Sequence, residues 1–499
     1  MPQLGYYHDD SIYWVTAKSI AQGDGYRIVS LPRQPLQTKY PPLYPAYLAL
    51  VWLINPSFPD NLPVAALFSW LLFPPFLWLV WRFFHEQRFP QRECILLTAL
   101  AALNPIAILL SMSLMSELLY SCLFIAALLL AERASREHAP VWLAAVAGCL
   151  GGLAYLTRSA AVCLLVAVPL VFLLQRHFRK ALAFAGCMLP AAIGWQVWTA
   201  LHLSSASDSV TLYYTNYFGF QLHYVSLHDL PLVIWHNVES LLGGVTKLLI
   251  FDVQFEIVHI QRLVAVVALA GVVRVARQSR RFHYPAAALV YIGIMLIWHY
   301  PPDQRFVFPL YPLLLAGLWS ELKNVFLVLR QAWQKRLVAE RAVAVLVGAV
   351  LAAFVFFAGF NTIQGDFVTI PELLADHRAD LQSRRPAYAW IAEHTLPNAN
   401  VFAYDDPILY LYATRKSCNF PVPPLLIYNH DDAGVADLLH TLPEFAHRQQ
   451  LDYVLATSGD FQRDLHEIGS QNIGDALKHT AAFEQVARFP NAAVYRVLP

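Results

Sequence analysis

Residues 5–45 read GYYHDDSIYWVTAKSIAQGDGYRIVSLPRQPLQTKYPPLYP, and a long series of apolar segments follows them. The stretch holds an acidic pair, Asp9-Asp10, shortly before Tyr13. It continues through Gly23-Asp24-Gly25-Tyr26 to a compact Thr38-Lys39-Tyr40-Pro41-Pro42-Leu43-Tyr44-Pro45. A polar, proline-rich, carboxylate-bearing segment at the head of so apolar a chain reads as a site rather than as packing.

The chain of 499 residues is 57% hydrophobic and 14% charged, with 13 Trp. Soluble domains carry about 45–50% apolar and about 25% charged residues. The charge deficit is concentrated in runs of roughly 16–22 residues, the length that crosses a hydrocarbon core of about 30 Å as a helix. Spans are expected at about 62–84, 93–112, 117–131, 140–156, 159–174, 181–202, 258–276, 284–300, 306–320 and 342–360. The stretch 240–252 is apolar but brief and reads as interfacial. The fold class is therefore a polytopic α-helical membrane protein. The net charge of +1 carries no information about partners, and no nucleic-acid partner is expected.

Cys94, Cys122, Cys149, Cys163 and Cys187 fall within or beside apolar segments, where a thiol behaves as a small hydrophobe. Cys418 is the one cysteine in a soluble-looking region, so that region forms no internal disulfide. No zinc-type Cys/His spacing occurs.

Orientation follows from Lys and Arg in the short loops. Alternate loops hold Arg82, Arg88 and Arg92; Arg133 and Arg136; Arg176, Arg179 and Lys180; Arg274, Arg277, Arg280 and Arg281; and Lys323, Arg330, Lys335, Arg336 and Arg341. The loops between them hold little that is basic beyond Arg158, Lys247 and Arg305. The basic loops are expected to be cytoplasmic. Residues 1–61, Ser113–Glu117, the loop 203–257, His299–Arg305 and everything after 361 then face outward. Three parts follow: an outer loop with juxtamembrane helices (1–61), a transmembrane bundle (62–360) and an outward-facing α/β domain (361–499).

The start Met1-Pro2-Gln3-Leu4 has neither a charged n-region nor an apolar h-region, so it does not read as a signal peptide. A first membrane helix is expected upstream of it. The alternative, residues 43–54 as a first span, would reverse every loop. In the C-terminal part an amphipathic helix is expected over 372–395, interrupted near Pro386. Short strands are expected at Asn400–Tyr404, Asp452–Ala456, Phe483–Phe489 and Ala493–Leu498, the last two as a hairpin around Pro490-Asn491.

The informative polar residues gather at outward membrane ends. Asp9 and Asp10 precede a helix-like stretch and could cap it, but capping needs one side chain, not two. Glu117, in Met115-Ser116-Glu117-Leu118, is either a first-turn carboxylate favoured by the helix dipole or a site group at the edge of hydrocarbon. Arg158 is a lone cation between two spans, either a snorkelling anchor or a ligand. Arg305 offers a guanidinium fork suited to phosphate oxygens, unless Asp303 neutralises it. Lys39 is a third outward cation. Together they suggest an anionic, lipid-linked substrate and a base; no metal ligands are assigned.

Asp9-Asp10-Ser11-Ile12-Tyr13, Gly23-Asp24-Gly25-Tyr26 and Lys39-Tyr40-Pro41-Pro42-Leu43-Tyr44-Pro45, in that order, resemble the first outer loop of the GT-C glycosyltransferases. The branch is that of protein O-mannosyltransferases and lipid A aminoarabinose transferases. Ser116-Glu117 falls where that family has a second acidic residue, Gly152–Arg158 is similar to a recurrent family segment, and Arg305-Phe306 followed by Pro309 and Pro312 matches its late Arg-aromatic-Pro pattern. The C-terminal outer domain also fits bacterial members.

The resemblance implies the GT-C fold and an inverting transfer of a sugar from a polyprenyl-phosphate donor on the outer face of a bacterial inner membrane. The acceptor is a lipid, polysaccharide or protein. It implies Asp9, with Asp10 and Glu117, as the catalytic carboxylates, Asp9 being the general base. Arg305, with Lys39 or Arg158, would hold the phosphate. Some relatives carry a metal-binding Glu just before Lys-Pro-Pro-Leu; here Thr38-Lys39-Tyr40 occupies that place, so no cofactor is assigned and dependence on a divalent metal stays open. The competing readings are a lipid or polysaccharide flippase, which would place charges at mid-membrane, and a non-catalytic homologue.

Overall fold

The computed structural model describes residues 4–203, 208–251, 258–298, 300–334, 338–461, 464 and 481–498. Met1, Pro2, Gln3, His299, Lys335 and Arg336, named above, lie outside the described residues.

Every expected span coincides with a helix. Among the described residues, five helices are long and apolar enough to cross a membrane: Leu62–Glu86, Phe178–His202, Val258–Ser279, Gln304–Gln334 and Ala339–His394. A sixth is a bent pair, Gln91–Ala102 and Pro105–Met112, meeting at 55°. The bend has a local cause. Pro105 has no amide to continue the preceding helix and suits the first turn of the next, and the side chain of Asn104 caps the new one by accepting from the Ala107 amide at 3.0 Å. Val141–Thr157, Ser159–Leu174 and His283–Leu296 are shorter apolar helices, and Glu117–Ala134 accounts for the remaining span. The chain is thus an integral multi-pass membrane protein. Leu43–Ile54 has 12 residues, too few to cross about 30 Å at 1.5 Å per residue.

Small residues bring the spans together. A Cβ on Gly271 would stand 2.0 Å from the Gly317 carbonyl oxygen, and one on Gly148 2.2 Å from that of Phe184. The helices at those crossings approach backbone to backbone, as packing in lipid favours. The basic loops are also tied to one another: Glu86 accepts from Arg82, Arg133, Arg136 and Arg281 at 2.8–3.1 Å.

Two expectations are corrected. The stretch expected at 240–252 is not a separate interfacial piece: residues 240–250 belong to the 21-residue helix Leu230–Ile250, whose Asn237, Leu241, Gly244, Val245 and Leu248 are buried in the bundle, and residue 252 lies outside the described residues. The helix after the last span is not interrupted at Pro386. It runs through from Ile370 to His394, because burial of Ala387, Tyr388 and Ile391 holds the turn that the proline weakens. The irregularity lies earlier, in a π-helical turn at Gly365–Thr369 that joins it to Val338–Gln364.

The C-terminal domain carries a five-stranded sheet in the order β2-β1-β3-β5-β4: β1 Asn400–Phe402, β2 Lys416–Cys418, β3 Tyr453–Thr457, β4 Phe483–Arg488 and β5 Ala492–Val497. Both β2 and β3 pair parallel to β1, whereas β5 runs antiparallel to β3 and β4. The expected hairpin is present, closed by the Phe489 amide on the Ala492 carbonyl at 2.7 Å. Strand β2 has no counterpart among the expected strands; three residues are too short a run to show alternation.

Candidate active site

The first helix, α1, spans His8–Gln22. Its entry is shaped by Gly5, in a left-handed conformation at φ 82°, which residues without a Cβ adopt freely. The Asp10 carboxylate accepts from the Gly5 amide at 2.9 Å and the Tyr7 amide at 3.2 Å. It is fully buried and occupied in capping. The structure thus gives Asp10 a capping place at the start of α1. Asp9, one residue earlier and about 100° around the helix, faces a cleft instead.

The loop Thr38–Pro42 forms the opposite wall. Gln37 Oε1 accepts from the Lys39 and Tyr40 amides at 3.0 and 3.2 Å, and Thr38 Oγ1 donates to the Thr215 carbonyl at 2.7 Å. Pro42 then caps the helix Leu43–Ile54. This anchoring aims two side chains inward. The Tyr40 hydroxyl donates to Asp9 Oδ1 at 2.5 Å. Lys39 Nζ donates to the Tyr213 carbonyl at 2.8 Å and lies 4.3 and 4.5 Å from the centres of the Tyr213 and Tyr217 rings.

The cleft measures about 490 Å³. Asp9, Lys39, Tyr40 and Arg305 line it from the bundle side, with Tyr7, Tyr213, Tyr217 and Trp298; Tyr404, Asp405, Asn419 and Asp464 roof it from the C-terminal domain. Arg305 lies over the Tyr7 ring at 4.1 Å and is held by Asp303, Nε to Oδ2 at 3.0 Å, so the local pairing considered above does occur. Arg158 is near but not in this cleft. It lines a small adjoining pocket that shares Lys39, Tyr40, Tyr217, Trp298 and Phe306 with it.

Glu117 takes no place in the cleft lining. Its carboxylate pairs with Arg158 at 2.7 Å, Glu117 being 1% and Arg158 14% exposed. Glu117 is thus the counter-ion of a buried arginine and stands outside the cleft lining.

Electrostatics set the protonation states. Burial pushes the Asp9 carboxyl up, but Arg305, Lys39, the Tyr40 hydrogen bond and Arg158 outweigh it and hold the group below its ordinary value. Burial pulls the Lys39 ammonium down to about 8, against the opposing pull of Asp9. An ionised carboxylate among fixed cations can accept a proton while those cations hold an anion. Among the described residues, no group of three or more His, Cys, Asp or Glu side chains is placed to hold a metal ion.

Sequence reasoning missed the roof. Asp405-Asp406-Pro407 is as compact an acidic motif as Asp9-Asp10, and it was the available signal. Tyr213 and Tyr217 carried none, since aromatic residues near a membrane surface are common.

Bundle, N-terminal segment and sheet domain together make a polytopic helical membrane protein with a small α/β domain. Residues 39–199 match the family model described as dolichyl-phosphate-mannose-protein mannosyltransferase. ArnT from Cupriavidus metallidurans is similar in structure, with a TM-score of 0.54 in the apo state and 0.53 bound to undecaprenyl phosphate. In both cases identity is 14%, over 99% of this chain and 94% of that one. An oligosaccharyltransferase from Archaeoglobus fulgidus, in complex with Zn and sulfate, gives a TM-score of 0.50 at 14% identity, over 98% of this chain and 69% of that one. No curated protein matches the chain by sequence. The likeness to these structures shows the GT-C fold, and the family model matches residues 39–199 of the 499.

Proposed function

We propose that this chain transfers a sugar from a polyprenyl-phosphate carrier to an acceptor hydroxyl, with inversion, at the cleft under the C-terminal domain. One observation carries the reading: a half-buried carboxylate, Asp9, bonded to Tyr40 and sharing a cleft with Lys39 and Arg305. The similar structure of ArnT holds undecaprenyl phosphate, a ligand of the chemistry that such cations suit.

In this reading Asp9 accepts the proton of the acceptor hydroxyl as its oxygen attacks the anomeric carbon. The bond from that carbon to the phosphate oxygen breaks, and the phosphate leaves with the electron pair. Lys39 and Arg305 stand where that negative charge grows, with Arg158 in the adjoining pocket, and stabilise the transition state more than the ground state. A single displacement inverts the anomeric centre. Asp10 and Glu117 act by holding α1 and Arg158. The parts 1–61, 62–360 and 361–499 serve as catalytic loop, bundle and roof. The cleft faces the outside of a bacterial inner membrane, because the basic loops mark the cytoplasmic side.

The test incubates purified protein with labelled polyprenyl-phosphate hexoses and membrane acceptors and identifies the labelled product. Wild type is expected to transfer label to one acceptor class. Arg305→Ala should raise the donor KM more than that of the acceptor. Movement of lipid across a bilayer without any labelled product would overturn the reading in favour of a flippase.

A further inference from the structure

Asp9 is flanked on α1 by His8 and Asp10, and His8 lies against the C-terminal domain at a distance longer than a hydrogen bond. Side chains at positions 8, 9 and 10 of a helix leave its axis about 100° apart. Fixing the first and third therefore fixes the rotation of the second. Asp10 is bonded to the backbone of residues 5 and 7. His8 Nε2 lies 3.9 Å from Oδ1 of Asp406, the first residue of the helix Asp406–Ala413 in the C-terminal domain.

Asp406 is an unusual group to find there. It is fully buried. The Tyr214 hydroxyl donates to one oxygen, while Oδ2 has no hydrogen-bond partner among the described residues. Burying a carboxyl with incomplete pairing costs stability, so simple packing would have favoured an apolar side chain. The surroundings show the same domain gripping the same segment. His377 Nε2 lies 3.0 Å from the Leu4 carbonyl. A Cβ on Gly5 would come within 3.0 Å of Ile408 Cγ1. The Ser417 amide donates to the Ser30 carbonyl at 2.8 Å.

We propose that Asp406 is a positioning residue for Asp9, acting through His8, so that the C-terminal domain aims the base as well as roofing the cleft. The inference rests on the reading of Asp9 as the base. It is distinct from any contact of the domain with substrate.

The experiment compares Asp406→Ala, Asp406→Asn, His8→Gln and the double variant Asp406→Ala/His8→Gln in the full-length protein. Misplacing a reacting group by about 1 Å costs on the order of 100-fold in rate. Asp406→Ala and His8→Gln should each lower kcat by about that much, with donor KM unchanged because Lys39 and Arg305 are untouched. Asp406→Asn keeps the acceptor for Tyr214 and offers an N–H toward His8, so it should restore most of kcat. The double variant should be no slower than either single one. Full kcat in Asp406→Ala, or independent losses that multiply in the double variant, would overturn the proposal. If Asp406→Ala does not fold, His8→Gln against Asp406→Asn decides by the same criteria. Hydrogen exchange separates this from the functional reading, since it needs no turnover. Faster exchange at residues 5–10 than at β3 in Asp406→Ala supports positioning, and unchanged exchange at 5–10 overturns it, whether or not wild type transfers sugar.

Discussion

Arg158 and Glu117 form an ion pair at 2.7 Å beside the pocket that adjoins the cleft, both largely withdrawn from solvent. Arg158 also lies 5.2 Å from the centre of the Phe306 ring and 3.3 Å from Ser116 Oγ. The pair joins the start of the span Glu117–Ala134 to the turn after Val141–Thr157. The Arg158 charge is thereby held at the adjoining pocket.

Removing one partner should leave the other charge buried alone. Glu117→Ala is expected to destabilise the protein by about 3–5 kcal/mol, read as a lower thermal unfolding temperature in detergent. Glu117→Ala/Arg158→Ala should recover most of that loss. Equal destabilisation of the single and double variants would show that the pair is not the relevant interaction.

Asp9→Asn should abolish transfer while leaving the folded protein intact, a loss of at least about 10²–10⁴-fold for a missing general base. The pH profile of the wild type carries a second signature. Asp9 is held below its ordinary value, so activity should persist through the usual carboxylate range and fail only below it. Its contribution to stability follows the same sign, present above the unfolded value and lost as pH falls through the folded one. Tyr40→Phe removes one of the causes and should move the acidic limb of kcat upward; an unmoved limb would detach Tyr40 from the base.

Lys39 should set the alkaline limb. Its folded value of about 8 lies below the ordinary lysine value, so the ammonium is lost as pH rises through that point. Donor KM is expected to increase there. Below it the buried charge costs stability, and deprotonation relieves that cost as pH rises. Lys39→Arg stays charged across the range and should flatten the alkaline rise in KM, whatever it does to the absolute value. A rise in KM that survives this substitution would assign the titration elsewhere.

At the Gly271–Gly317 crossing, a methyl group has no room. With its Cβ 2.0 Å from a carbonyl oxygen, Gly271→Ala must push the helices Val258–Ser279 and Tyr311–Gln334 apart. Overpacking of this kind costs about 1–3 kcal/mol. A reduced monodisperse fraction on size exclusion, without any change in the acidic limb of activity, is the expected result. Gly293 is the control, because a Cβ there would meet no described atom within 4 Å: Gly293→Ala should be tolerated.

The sequence and the structure agree where one physical cause acts locally. Charge-free runs became helices because lipid requires each segment to satisfy its own backbone. The hairpin at Pro490-Asn491 followed from turn chemistry. They part company at Asp9-Asp10, where adjacent residues looked alike. A helix turns about 100° between neighbours, so one carboxylate went to the backbone and the other to the cleft. They part again at Glu117, whose exposure depends on which span packs in front of it.

By itself, the sequence determined that this chain crosses the membrane many times, that its polar chemistry lies at one rim, and that Asp9, Lys39 and Arg305 were worth naming. Local composition and spacing suffice for that, since hydrophobic length and charge placement act over a few turns. Tertiary structure alone decided that Asp10 caps while Asp9 faces the cleft, that Glu117 belongs to Arg158, and that Asp405, Asp406 and Asp464 come to the opening of the chain from its far end. Those outcomes depend on how the chain packs, from the local turn at Asp10 to segments hundreds of residues apart at Asp406, and burial and pairing at such contacts are properties of the packed molecule.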